Sequence, residues 1–213
     1  MNRRTLGRFF TAACSLALLA SPLMARAAAD EAPDALIKRV SGEVLDTIRS
    51  DKAIQAGEIG RLSALVDSKV MPNVNFTRMT ASAVGRNWRQ ATPEQKTRLQ
   101  EEFKTLLVRT YSGALSQVKD QTLNIKPSRA AAGDSEVVVR TEVIGRGEPV
   151  QLDYRLEKTP AGWKIYDLNV LGVWLVETYR TQFAQEINVS GVDGLIASLA
   201  QRNKSGTGEK KSS

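Results

Sequence analysis

The sequence predicts an α+β domain in which helices cover one face of a curved antiparallel sheet of about four strands. Three features of the 213-residue chain indicate this fold. Apolar residues recur at helical spacing up to Asp120, alternate with polar residues from Thr122 to Val170, and return to helical spacing from Leu175. Helices and strands that occupy separate stretches of a chain are typical of the α+β class.

The N-terminal part of this pattern predicts three helices. Apolar spacing places the first at residues 34–50 and the second at residues 59–70, where Pro72 ends it. A shorter third helix covers residues 76–84 and stops at Gly85, because glycine commonly terminates helices. The chain therefore begins with a helical layer.

A fourth and longer helix is predicted by its start signal. Residues 92–95 read Thr-Pro-Glu-Gln, which matches a capping box with proline at the first helical position. The helix that follows has one apolar side, which consists of Leu99, Phe103, Leu106, Leu107, Tyr111, Leu115 and Val118.

Twofold alternation then predicts an antiparallel meander. Residues 150–156 alternate strictly between apolar and polar side chains, as in a half-buried strand. Residues 136–144 are rich in β-branched side chains, residues 163–170 follow a turn at residues 160–162, and residues 122–126 can add an edge strand. These segments supply the sheet.

The last strand and the C-terminal helices complete the predicted domain. Strict alternation would place Trp163, Ile165, Asp167 and Asn169 on one face of the strand, with a carboxylate beside apolar residues. Apolar spacing then predicts one helix that contains Leu175, Tyr179, Phe183 and Ile187, and a last one at residues 192–200.

The N terminus has the organisation of an export signal. Arg3, Arg4 and Arg8 precede an uncharged stretch at residues 9–20, and residues 25–27 offer small side chains at A-x-A spacing. We expect residues 1–27 to be a cleaved signal peptide. The paired arginines also fit a twin-arginine signal, so the twin-arginine and the general secretory routes both remain open.

Charge divides the rest of the chain into a neutral domain and a basic tail. Residues 28–201 carry 22 basic and 22 acidic side chains, although the whole chain has a formal net charge of +7. We expect residues 28–201 to form one domain and residues 202–213 to be a disordered basic tail. A neutral domain gives no electrostatic basis for binding nucleic acid.

The composition argues against most catalytic chemistry. The chain has no histidine, and its one cysteine, Cys14, lies in the predicted signal peptide. Ser-His-Asp and Cys-His systems and the usual structural zinc sites are therefore excluded, and we expect no enzyme activity, cofactor or metal.

Asp167 is the candidate that needs separate consideration. We expect a hydrogen-bonded structural acid or a partner for an arginine such as Arg180, because buried charges are normally paired. A catalytic acid is the alternative, and with it a carboxylate-based envelope hydrolase. A non-catalytic adaptor that binds another envelope protein is a further alternative.

The C-terminal third carries a resemblance to a known family. Residues 167–176 (DLNVLGVWLV), followed by residues 178–183 (TYRTQF), resemble the periplasmic phospholipid carriers of the maintenance-of-lipid-asymmetry pathway, also called the toluene-tolerance family. Weaker matches in the same order cover nearly all of the mature chain, among them residues 70–72 and residues 162–165. Leu171 and Trp174 depart from the family pattern, in which glutamate is common and serine is usual.

The resemblance implies an α+β fold whose apolar cavity holds both acyl chains of a phospholipid while the head group stays at the surface. It implies a monomer in the periplasm that shuttles lipid between an outer-membrane lipoprotein complex and an inner-membrane lipid ABC transporter complex. A diacyl lipid with about 30 methylenes loses on the order of 20 kcal/mol if its chains enter water, so the cavity must be nearly closed. We expect it to be lined by Phe76, Met79, Trp88, Phe103, Leu107, Tyr111, Val150, Leu152, Tyr154, Val170, Val173, Trp174, Leu175 and Tyr179.

Overall fold

The computed structural model describes residues 31–127, 131 and 133–205. The predicted signal peptide and residues 206–213 lie outside these described residues.

The predicted α+β class is confirmed, and the sheet has six strands rather than about four. The helices are α1 (Pro33–Ser50), α2 (Lys52–Gln55), α3 (Ile59–Leu65), α4 (Phe76–Val84), α5 (Pro93–Ser116) and α6 (Leu175–Ser205). The strands are β1 (Thr122–Ile125), β2 (Glu136–Val139), β3 (Thr141–Ile144), β4 (Val150–Thr159), β5 (Gly162–Val170) and β6 (Val173–Trp174).

Local signals in the sequence account for the starts and ends of the helices. The Thr92 hydroxyl accepts a hydrogen bond from Gln95 N at 3.2 Å, and the Gln95 side chain accepts one from Thr92 N at 3.0 Å. The predicted capping box is thus present at the start of α5. Asn75 caps α4, and Gly85 ends it with a φ of 67°. Helix α3 is followed directly by a π-helical turn (Val66–Val70), which ends before Pro72.

The last helix differs from its predicted bounds. The two helices expected after Leu175 form one element, α6, with a kink at Gly191 where φ is 71°. The sequence predicts a disordered tail from Arg202, but α6 continues to Ser205. The buried Asn203 explains this, since its amide donates to the Glu102 carboxylate at 2.8 Å.

A break at Arg140 divides the predicted strand 136–144 into β2 and β3, and β6 is the other additional strand. Both β2 and β3 pair with the same edge of β4, and the strand order is β1-β3-β4-β5-β6. At the break, Asp153 Oδ1 accepts a hydrogen bond from Thr141 N at 3.1 Å, and the Thr141 hydroxyl donates to Leu152 O. Side chains thus satisfy the groups that a continuous ladder would have paired, and the sheet can bend there.

A β-bulge at Tyr166 changes which side chains share a face of β5. Ile165 pairs with Leu156, but Asp167 pairs with Arg155, so one extra residue of β5 lies between these pairs. The expectation that Asp167 lies on the same face as Ile165 is therefore wrong. A bulge inserts one residue and turns the following side chains to the other face.

Three apolar clusters form the core. The helical cluster joins α4, α5 and α6, the sheet cluster joins α1 to the sheet, and the small cluster joins α1, α2, α3 and α5. Helices α1, α4 and α6 pack directly on strands, whereas the main neighbours of α5 are other helices. No helix among the described residues is long and apolar enough to cross a membrane.

Candidate functional site

The face of the sheet that the helices cover is mainly apolar. Directly opposed residues of an antiparallel pair share a face, so the pairing of β4 with β5 defines this inner face. Its central pairs are Leu152 with Val170, Tyr154 with Leu168, and Leu156 with Ile165. The strands β1, β2 and β3 extend the same face with Leu123, Ile125, Val137, Val139 and Val143.

Several apolar side chains of α5 and of this face are only half-buried at the margins of the clusters, and we call them the seam. Leu107 and Tyr111 of α5 and Val170 of β5 pack on the helical cluster. Leu152 of β4 packs on the sheet cluster, and Leu168 packs on both. Val74, which is also half-buried and touches both clusters, completes the seam. The seam is where two separate cores meet.

The interior of the helical cluster, by contrast, is closely packed. The Phe103 ring lies 4.9 Å from the Tyr179 ring and 5.2 Å from the Phe183 ring, both edge-on, and 5.7 Å from the Phe76 ring. These distances are those of ordinary aromatic packing. Five of the expected lining residues, Phe76, Met79, Phe103, Leu175 and Tyr179, are thus buried in this core.

The structure brings a smaller set of the expected residues together at the seam. Leu107, Tyr111, Leu152 and Val170 belong to it, and Trp88 is half-buried against the helical cluster. Tyr154 is buried under α1 with its hydroxyl 3.5 Å from the Ser41 hydroxyl, and burial raises the pKa of Tyr154 to about 12.

One end of the sheet carries three exposed aliphatic side chains, which we call the rim. Val150, Leu171 and Val173 have exposed fractions of 39%, 55% and 53%. Val173 pairs with Val170, so the rim continues the inner face outward. Two of the expected lining residues, Val150 and Val173, thus lie at the margin of the seam.

Trp174 does not join this group. It pairs with Asn169 on the opposite, outer face of the sheet, because adjacent residues of a strand point to opposite faces. Its ring stacks on the Arg155 guanidinium, whose carbon lies 3.8 Å from the ring centre. The expectation that Trp174 lines the cavity is therefore not supported by its position.

Asp167 is buried on this outer face with all its partners in place. Its carboxylate accepts hydrogen bonds from Leu168 N at 2.8 Å and Val176 N at 3.1 Å, and pairs with Arg155 at 3.0 Å. Burial raises the pKa of Asp167, and these partners oppose the shift. Arg155 takes the place of the expected partner Arg180, and the carboxylate fits a structural role.

A second ionic group ties α4 to the outer face. Arg78 pairs with Glu157 at 2.5 Å and with Glu136 at 2.6 Å, and its guanidinium lies 3.6 Å from the centre of the Tyr166 ring. The hydrogen bond from Arg78 lowers the pKa of Glu136. The outer face is therefore joined by side-chain pairs, whereas the inner face is mainly apolar.

Sequence reasoning missed two members of the seam. Leu168 appeared to point away from the apolar side of its strand because the bulge at Tyr166 was not recognised. Val74 lies in a short extended stretch that bridges to Ile165 and has no periodic signal. An isolated apolar residue between two helices was the available clue.

Another concave region lies away from the seam, at the kink of α6. This groove has a volume of about 390 Å³. Polar side chains predominate among the residues that line it, which are Gln182, Phe183, Gln185, Glu186, Val189, Leu195, Ser198 and Arg202. Such a lining does not suit acyl chains. Within the described ranges, no group of three or more potential ligand side chains could hold a metal ion.

Several known proteins resemble this chain along most of its length. The model of the MlaC protein family matches residues 38–201. The toluene tolerance protein ttg2D of Pseudomonas putida is 27% identical over 177 residues, which are 83% of this chain and 81% of that protein. The intermembrane phospholipid transport system binding protein MlaC of Haemophilus influenzae is 22% identical over 205 residues, with 94% and 95% coverage.

A solved structure is more similar still. The phospholipid-binding protein of Ralstonia solanacearum, determined in complex with a phospholipid, is 49% identical to this chain. The two folds superpose with a TM-score of 0.79 over 81% of this chain and 97% of that one.

Proposed function

The chain belongs to the MlaC family, and on that premise we propose that it is a phospholipid carrier that holds both acyl chains between the inner face of the sheet and α5. The single observation that supports this most strongly is the 49% identity to a phospholipid-binding protein determined with a phospholipid bound. We propose that the acyl chains lie at the seam of this chain.

The packing of the seam supports the placement of the chains. Leu152 and Val170 are opposed on the inner face, and Leu107 and Tyr111 of α5 pack on the same helical cluster as Val170. Side chains that are half-buried between two cores can move apart with less loss of contact than the Phe103 ring could. Acyl chains that enter there recover roughly 0.8 kcal/mol per buried methylene.

The polar groups support a carrier with little head-group selectivity. Residues 168–176 and 149–152 carry no charged side chain, so we expect no dedicated phosphate-binding cluster at the rim. We expect the head group to stay in water, where several head groups are equivalent.

Transport between membranes is the biological role that we propose for this binding. Residues 1–27 would direct the protein to the periplasm. There it would exchange lipid as a monomer with an outer-membrane lipoprotein complex and an inner-membrane lipid ABC transporter complex. The neutral charge of residues 28–201 supports this role, because it lets the carrier leave anionic membrane surfaces.

We propose no enzymatic step. The chain lacks histidine. Asp167, the most deeply buried acid among the described residues, faces away from the seam and is bound by two backbone N–H groups and Arg155. A carboxylate held in this way is not available to activate water at the acyl esters.

Native mass spectrometry of gently purified mature protein tests this function, together with an organic extract of the same sample. We expect one phospholipid per polypeptide, with diacyl species of several head groups. Bare polypeptide in both measurements would contradict the carrier. Release of free fatty acid above that of a heat-killed control would instead indicate the hydrolase.

A further inference from the structure

The rim has features that neither folding nor the packing of the seam explains. Leu171 adopts a left-handed conformation with a φ of 54°, which is unfavourable for a leucine. It is nevertheless 55% exposed, so its side chain gains little from burial in the folded protein. An exposed aliphatic residue in a strained backbone conformation points to a role outside the fold.

The rim is held firmly in place. Leu171 N donates to Gln151 O at 3.0 Å, and Gly172 N donates to the Asn169 side chain at 2.9 Å. These bonds fix the turn against the start of β4. They also leave both N–H groups satisfied, so the turn can enter an apolar environment without burying unpaired donors.

From this arrangement we infer that the rim is a docking surface for the hydrocarbon boundary of a lipid bilayer, through which acyl chains pass to and from the seam. The inference rests on the proposed function. Val150 and Val173 continue the inner face from Leu152 and Val170, so a rim pressed into the bilayer gives the chains an unbroken apolar path.

Charge favours a bilayer over an ionic contact. The rim and its flanking segments, residues 149–152 and 168–176, contain no acidic or basic side chain. Docking should therefore occur on neutral lipid and should be insensitive to salt. The contact consists of three aliphatic side chains, so it should be brief and reversible, as a carrier requires.

Two measurements with phosphatidylcholine vesicles test the inference. Flotation reports docking itself, and the transfer rate of a fluorescent phospholipid from loaded protein reports passage. Aqueous release gives a rate that does not depend on vesicle concentration, whereas docking gives a rate that rises with it. We expect the transfer rate to increase with vesicle concentration and to be the same at low and at high salt.

Leu171→Asn and Val173→Thr are the diagnostic variants. Asparagine tolerates the left-handed conformation, so Leu171→Asn should fold at least as well as the original protein. It should reduce flotation and the slope of the transfer rate about tenfold, because the leucine is the largest and most exposed of the three rim side chains. Val173→Thr should reduce both several-fold.

Val189→Thr is the matched control, since Val189 is 88% exposed on α6. It should change neither measurement. Protein that contains phospholipid but does not float, or variants with unchanged slopes, would overturn the docking inference and leave the carrier standing. Binding that requires anionic lipid and disappears in salt would also overturn it, in favour of exposed arginines such as Arg86 and Arg89. Protein without phospholipid would overturn both proposals.

Discussion

The two faces of the same sheet are built differently. The inner face presents mainly aliphatic side chains, and those that belong to the seam are only half-buried. The outer face is held by ion pairs and hydrogen bonds, with Asp167 bound to Arg155 and Arg78 bound to Glu157. An outer face with such specific partners has one favoured arrangement, whereas non-directional apolar contacts allow more than one.

This difference suggests how a small domain can carry a large ligand. A closely packed core resists opening, because every side chain would lose contacts that nothing replaces. The helical cluster around Phe103 and the outer face can stay fixed while side chains of the seam separate. Acyl chains then replace the lost apolar contacts, so the fold need not rearrange around the ligand.

The largest expected effect is on lipid retention at the seam. Leu152→Asp should lower bound phospholipid more than tenfold in native mass spectra, because acyl chains would bury the new carboxylate without a partner. The variant should keep a cooperative thermal transition, since the half-buried site can be reached by water. Val138→Asp, at an exposed position of the outer face, is the matched control and should keep its lipid. Full lipid occupancy in Leu152→Asp would contradict the seam.

The next effect is on stability and concerns the outer face. Asp167→Asn should lower the free energy of unfolding by about 2–3 kcal/mol, because one carboxylate oxygen becomes an NH2 group, which cannot accept the hydrogen bonds that this oxygen receives from backbone N–H groups or from Arg155. Lipid per folded molecule should not change. Chemical denaturation measures the first quantity, and native mass spectrometry measures the second. Glu177→Gln, which removes an exposed carboxylate 3.6 Å from Arg155, should cost less than about 0.5 kcal/mol. A loss of lipid in Asp167→Asn would show that the two faces are coupled.

Trp174→Ala should also lower the free energy of unfolding, but by less than Asp167→Asn. A tryptophan at the mouth of the cavity would control lipid retention, whereas one stacked on Arg155 contributes to stability. The stacked position predicts a loss of about 1–2 kcal/mol in unfolding free energy and unchanged lipid occupancy. The reverse outcome, lost lipid at unchanged stability, would place Trp174 at the mouth after all.

The smallest expected effect concerns stability as a function of pH. The contributions of two outer-face carboxylates to the free energy of unfolding should change with pH in opposite directions. Burial raises the folded-state pKa of Asp167, so its contribution to stability is largest in acid and is lost as pH rises through that pKa. The hydrogen bond from Arg78 lowers the folded-state pKa of Glu136, so its contribution is present at neutral pH and is lost as pH falls through that pKa.

Unfolding free energies measured from pH 3 to pH 7 test this contrast. The difference between the original protein and Asp167→Asn should grow towards acid, and the difference for Glu136→Gln should shrink. Parallel slopes for the two variants would show that the environments of the two carboxylates are alike.

Much of the fold could be predicted because its signals are local. The capping box at Thr92 and the glycine at residue 85 each act within one helical turn, and alternation at residues 150–156 marks a strand that is covered on one face. The family resemblance indicated that the ligand is a phospholipid. Neither the local signals nor the resemblance required knowledge of contacts between residues that are distant in the sequence.

The errors arose where distant contacts decide the outcome. The bulge at Tyr166 depends on how β5 pairs with β4, and it reversed the faces of Asp167 and Leu168. The spacing of apolar residues identifies the buried face of a helix. It does not show whether that face packs in a closed core or lines a cavity. Phe103 was therefore expected at the wall, although neighbouring rings from α4 and α6 enclose it.

Photocrosslinking of the bound lipid tests most directly whether the seam holds the acyl chains. A phospholipid with a photoreactive group in its chains would be loaded, irradiated and mapped on the protein by mass spectrometry. We expect the modified residues to be Leu107 or Tyr111 of α5 and Leu152 or Val170 of the inner face. Modification concentrated on the outer face around Arg155, or in the groove at the kink of α6, would contradict the account.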